Sequence, residues 1–361
     1  MNMSLSSFLW RIAIVSLGLV CTAMAANADP AALVKAGHYK QARIILEKRI
    51  AENSKDADAL VLLARVRLAY EDYDAAAKLL QQALEIDPTH SDAHVYMAEA
   101  YSQKVDHVGV FEKSGIARKI KSEAERALAA NPKNLDAMET LMEFHLEAPG
   151  IVGGSKDKAR EIAGKIASLD AVRGNFAWAE IAAKEKHHEE REKFLVNAVA
   201  ADPQSYDALT ALAALYLRDR WLNYAKAGDY AGKAAAVDPG RVRAYVLLAR
   251  VCAGQEQWTE LEQVLAKAER EVPDNYLPYF AAGNELLLMG KQPARAETYF
   301  RKYLKLEPEG EAPSLPVAHW HLGLALEKQG RKQEAIQEIQ TALKMKPGLK
   351  EAQKDLKRIK G

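Results

Sequence analysis

Seven of the 13 prolines in this chain close nearly the same phrase: Glu85-Ile86-Asp87-Pro88, Ala129-Ala130-Asn131-Pro132, Ala200-Ala201-Asp202-Pro203, Ala236-Val237-Asp238-Pro239, Glu271-Val272-Pro273, Lys305-Leu306-Glu307-Pro308 and Lys344-Met345-Lys346-Pro347. The successive spacings are 44, 71, 36, 34, 35 and 39 residues. The 71 is two repeats, because Ser168-Leu169-Asp170-Ala171 is the same phrase with alanine in place of proline. A period near 34 residues with two helical patterns per unit predicts an all-α solenoid. Each unit is a helix pair that buries its apolar face only by stacking on its neighbours. Such an architecture uses the whole chain and leaves no separate catalytic domain.

Small and large apolar positions recur in order within single units. Residues 57–90 carry Leu60, Leu63, Ala64, Tyr73, Ala76, Leu80, Ala83 and Pro88, and residues 316–349 carry Leu322, Gly323, Leu326, Gly330, Ala335, Ile339, Ala342 and Pro347. The small residues let two antiparallel helices approach closely, and the proline cannot continue a helix. This order resembles the tetratricopeptide repeat (TPR). The resemblance implies a right-handed superhelix of about nine units: a reduced one at 30–56, then 57–90, 91–134, 135–171, 172–205, 206–241, 242–275, 276–310 and 316–349. A polar capping helix at 350–361 follows, rich in lysine. The resemblance further implies a non-enzymatic scaffold that holds a peptide or partner protein in its concave groove. For an exported bacterial member it implies an assembly or envelope factor.

The first 28 residues are unlike the rest. Arg11 is their only charge, and Ile12 to Ala25 is almost uninterruptedly apolar or small. This is the pattern of a secretory signal peptide, with cleavage expected after Ala25 or Ala28; the run is shorter than the roughly 20 residues that span a bilayer. Cys21 follows Val20, a poor context for lipid attachment, so a soluble periplasmic or secreted protein without stable membrane insertion is expected. Cleavage leaves Cys252 as the sole thiol, at an apolar helical position that suits a buried structural role. It also leaves equal numbers of basic and acidic residues, which argues against nucleic acid as a partner.

No chemical motif survives inspection. Gly150 to Lys156 fails the phosphate-loop pattern, because Ser155 precedes Lys156 and Asp157 follows it. The histidine pairs His90 with His94, His187 with His188, and His319 with His321 lack the geometry or third ligand of a metal site. No catalytic residue, metal or cofactor is expected.

The groove can be read along the first helices. Their inward stripe predicts Arg65, Glu99, Glu139, Glu143 and Glu180, then Thr210, Arg250, Phe280, Asn284 and Trp320, with Phe176 also facing inward. An acidic middle and an aromatic end suit a basic peptide with an apolar anchor, held at Trp320. The Lys and Asn pairs of TPR clamps that grip a C-terminal carboxylate are missing from the central units. Two units carry insertions, around Val105–Gly115 and Ala148–Ser155. Equivalent loops of adjacent units share an edge, so these two should be neighbours, and Phe111, Ile151 and Val152 form a second candidate site. Two alternatives stand beside the scaffold: a carrier of a small apolar molecule or lipid enclosed by Phe176, Phe280 and Trp320, and an auxiliary subunit of an envelope enzyme.

Overall fold

The computed structural model describes residues 28–105 and 109–361. The expected signal peptide, save its last residue, lies outside them. The described residues hold nineteen α-helices and no strand. The first eight are α1 (Pro30–Ala36), α2 (Tyr39–Glu52), α3 (Ala57–Ala69), α4 (Tyr73–Ile86), α5 (Ser91–Lys104), α6 (Val110–Ala130), α7 (Leu135–Glu147) and α8 (Lys156–Leu169). Then come α9 (Ala171–Lys184), α10 (His188–Ala201), α11 (Tyr206–Leu215), α12 (Tyr224–Val237), α13 (Val242–Gly254) and α14 (Trp258–Glu271). The last five are α15 (Leu277–Met289), α16 (Pro293–Tyr303), α17 (Leu315–Lys328), α18 (Lys332–Met345) and α19 (Lys350–Lys360). The chain is an all-α helical-repeat solenoid.

The proline phrase makes the corners between pairs. Asp87, Asn131 and Asp202 end their helices, and each side chain accepts the backbone N–H two residues on, at 2.9, 3.1 and 2.9 Å. The next helix then opens on its own cap, as where Asn134 and Ser205 accept the N–H groups of Ala137 and Ala208. The corner inside several of the pairs is different, because it needs a left-handed residue. Glu71, Lys186, Glu256 and Gln292 supply it with φ of 47 to 62°, and Gly330 does so at 76°. A side chain there pays roughly 1–2 kcal/mol that glycine avoids. Lys186→Gly is therefore expected to raise stability by about 1 kcal/mol, read as a higher urea midpoint with an unchanged slope.

The core is a staircase of buried clusters that hand over from one pair to the next. One joins residues of α1 to α4, another joins α2 to α5, and the series continues to Ile339, Ala352 and Ile359 beneath α19. The ten extra residues around 105–115 are mostly not a loop, contrary to expectation. From Val110 they extend α6 to 21 residues, because only Gly109, at its start, breaks the helical pattern before it.

The solenoid also closes on itself. Corner residues late in the chain meet α2, α3 and the turn after α3. Tyr39 and Arg65 donate to the Glu311 carboxylate at 2.9 and 3.0 Å, and Tyr70 donates to Glu309 at 3.2 Å. The Lys40 ammonium donates to the carbonyls of Asp274 and Glu307, each at 2.8 Å, and its backbone N–H donates to Glu309 at 3.1 Å. One backbone bond crosses the seam, from the Glu311 N–H to the Ala69 carbonyl at 2.7 Å.

Candidate partner-binding groove

A cavity of about 950 Å³ opens between α5, α6, α7 and α9. Four carboxylates line it. Glu99 comes from α5, Glu143 and Glu147 from successive turns of α7, and Glu180 from α9. The stacking of first helices places them on one wall, since equivalent positions of adjacent units superpose along a solenoid. Apolar residues complete the lining, among them Val95, Ala117, Ile120, Phe144, Pro149, Ile151 and Val152, with Lys113 as the one basic residue. Ile151 is 92% exposed, so a large aliphatic side chain faces solvent at the cavity mouth.

The charges differ in how far they are already satisfied. Glu139 is tied to Arg173 through two bonds of 2.8 and 2.6 Å, and Glu147 is paired with Lys184. Glu99 lies 3.8 Å from Arg65. Among the described residues, neither Glu143 nor Glu180 has a cation within ion-pair distance. Desolvation by the concave wall, followed by repulsion from Glu139, Glu180 and Glu147, pushes the Glu143 carboxyl up to about 6, although the side chain still meets solvent in the open groove. Between that value and its ordinary one, the folded state holds a proton that the unfolded state releases. Stability should thus rise as pH falls from about 6 toward 4.5. Glu143→Gln is expected to flatten that slope and to stabilise the protein at pH 7.5 relative to the parent, as measured by urea unfolding at pH 5 and 7.5.

The structure therefore brings Glu99, Glu143 and Glu180 together with Ile151 and Val152, merging parts of the two sites read from sequence. The two insertions do meet at this cavity, where α6 faces the Pro149–Val152 turn. The side chain of Phe111 lies outside the described residues. Glu147 escaped the sequence reading although it continues the Glu139, Glu143 stripe one turn further.

The aromatic end of the groove is not formed. Phe280 is 7% exposed and packs against Phe300, Tyr303 and His321, because α15 is apolar on nearly all sides and turns this ring into the core. Trp320 is half-buried and donates its indole N–H to Asp355 at 3.0 Å, so α19 covers the side meant for an anchor. Thr210 is 1% exposed, its hydroxyl bonded to the Asp207 carbonyl. Phe176 packs on the cluster of α9 to α13, and Asn284 is half-buried on α15. Arg250 bridges units through a 2.9 Å bond to Glu285, while Arg65 belongs to the seam.

The histidines are structural as well. His90 caps α5, His94 binds Glu123 at 2.6 Å, and His319 binds Glu338 at 2.7 Å. Cys252 is buried, and burial raises its thiol above the ordinary range. Among the described residues no group of three or more His, Cys, Asp or Glu could hold a metal, and no helix is long and apolar enough to cross a membrane.

No curated protein matches the sequence. Similar solved structures include a tetratricopeptide repeat protein from Parabacteroides merdae (16% identity, 84% of this chain and 99% of that one, TM-score 0.42). Others are a thermophilic TPR protein of Thermus thermophilus (20% identity, 52% and 96%, TM-score 0.46) and yeast Tom70 (14% identity, 92% and 86%, TM-score 0.48). The tetratricopeptide-repeat family matches residues 67–105 and, in a second match, 280–350. Those stretches lie near the two ends of the series of helix pairs that the described residues form. As a class, such repeats are protein- and peptide-binding scaffolds rather than catalytic domains. Over those two stretches the chain is similar to the tetratricopeptide-repeat family.

Proposed function

We propose that the protein is a non-catalytic scaffold which holds a cationic, partly apolar peptide segment of a partner protein in the cavity between α5, α6, α7 and α9. The observation that carries this reading is the pairing of four carboxylates with apolar lining residues and the exposed Ile151. A basic side chain finds Glu143 and Glu180 unneutralised, and an adjacent apolar side chain finds Ile120 and Val152. A lipid or other neutral apolar carrier function fits less well, since filling this cavity with hydrocarbon would desolvate carboxylates without pairing them. The sequence of residues 1–28 supports export, and hence a periplasmic or secreted site of action and a role in the envelope.

The test uses a fluorescent peptide alternating lysine with leucine, and its alternating glutamate–leucine counterpart. Anisotropy should show saturable binding of the first, weakening steeply from 50 to 300 mM salt, and none of the second. Equal binding of both peptides, or binding insensitive to salt, would sink the reading. N-terminal sequencing of the native protein tests export, with a start at Ala26 or Asp29 expected.

A further inference from the structure

We propose that residues 305–314 are a releasable latch that folds onto the start of α2 and the end of α3, closing the solenoid. The segment carries Glu307, Glu309 and Glu311 and sits as an acidic, turn-rich strip against Tyr39, Lys40, Arg65 and Tyr70. It meets the first two units at their helix ends, with side-chain bonds to the carboxylates of Glu309 and Glu311 and one backbone bond to Ala69.

Three observations separate a latch from a permanent joint. The seam is polar: among the described residues no buried apolar cluster contains side chains from both sides, since the cluster of α1 to α4 ends at Leu79 and that of α13 to α18 begins at Ala249. Its buried charges are incompletely satisfied. Glu309 is 3% exposed, yet one of its carboxylate oxygens and one of Asp274's lack a hydrogen-bond partner, with Lys40 at 3.9 Å and His38 at 3.8 Å. Burying charge in this way confers specificity rather than strength. Finally, Glu311 is held at φ 66°, a left-handed conformation that a free loop would relax. An ionic, strained and core-free seam opens before the helix pairs it joins.

The amide of Glu311 reports the opening, because its only bond is to Ala69 across the seam. Hydrogen exchange on the full-length protein, without any partner, should show residues 305–314 exchanging at least tenfold faster in 0.5 M than in 0.05 M sodium chloride, while amides within α3 and α16 keep their rates. Glu311→Gln should produce the same acceleration at low salt. Gly310→Val supplies a steric test, since a β-carbon on Gly310 would fall 2.7 Å from the Ala69 β-carbon and 2.9 Å from its carbonyl oxygen. That variant should lose protection in the segment at every salt concentration. Exchange of 305–314 that is salt-independent and follows only global unfolding would overturn the proposal, as would full protection in Glu311→Gln. These readouts do not depend on the cavity binding a cationic peptide, so either idea can fail alone.

Discussion

Phe300→Ala is expected to destabilise the protein by about 3–5 kcal/mol, the range for removing a buried aromatic ring. Phe300 is fully buried where α15, α16 and α17 meet, 5.4 Å from the Phe280 ring and 5.8 Å from His321. Its far edge lies 3.0 Å from where a β-carbon on Gly283 would sit, so the glycine and the ring fill one space between them. In a stack of nearest-neighbour units the damage should stay local at first. Exchange in α15 to α18 should rise well before exchange in α3 and α4, and uniform acceleration along the chain would contradict this packing. Gly283→Ala should also be destabilising in the parent yet nearly neutral beside Phe300→Leu, a coupling a double-mutant cycle can read.

Lysine at both 143 and 180 is expected to weaken binding of the lysine–leucine peptide about a hundredfold, or ~2.7 kcal/mol, because attraction becomes like-charge repulsion inside a concave wall. Most of the loss should appear as slower association at low salt, measured by stopped-flow mixing. Melting should not fall, since both side chains reach solvent and the change removes carboxylate repulsion. Glu139→Gln makes the contrast. It should leave binding nearly intact while loosening the contact between α7 and α9, because Glu139 is already committed to Arg173.

The repeat was legible because the constraint is local. A proline or Asx corner every 34 residues or so, and alanines where helices cross, report on neighbours in the sequence. The acidic wall was legible for the same reason, as Glu99, Glu143 and Glu180 occupy related positions of adjacent first helices. Phe280 and Trp320 were misplaced because a one-position rotation of a helix that is apolar all round exchanges groove for core, and because the capping helix brings Asp355 over Trp320. The seam left only a faint trace, the surplus residues between Pro308 and Leu315. Which surface they meet depends on how far the stack has curved after eight units, a sum of small rotations that no single motif encodes.

That sum has an evolutionary side. Arg65 and Glu311 stand 246 residues apart in sequence, whereas bonds between neighbouring units, such as Arg173 to Glu139, span 34. A flexible chain would lose about 5 kcal/mol of entropy, by the logarithmic law, in bringing such distant points together; here the arc of stacked helices has already carried them to within reach. An open solenoid tolerates the gain or loss of a repeat, because each unit sees only its neighbours. A closed one does not. Deleting a single helix pair would swing Glu309 and Glu311 away from Tyr39, Arg65 and Tyr70, so the seam acts as a ruler for the number of repeats in this chain.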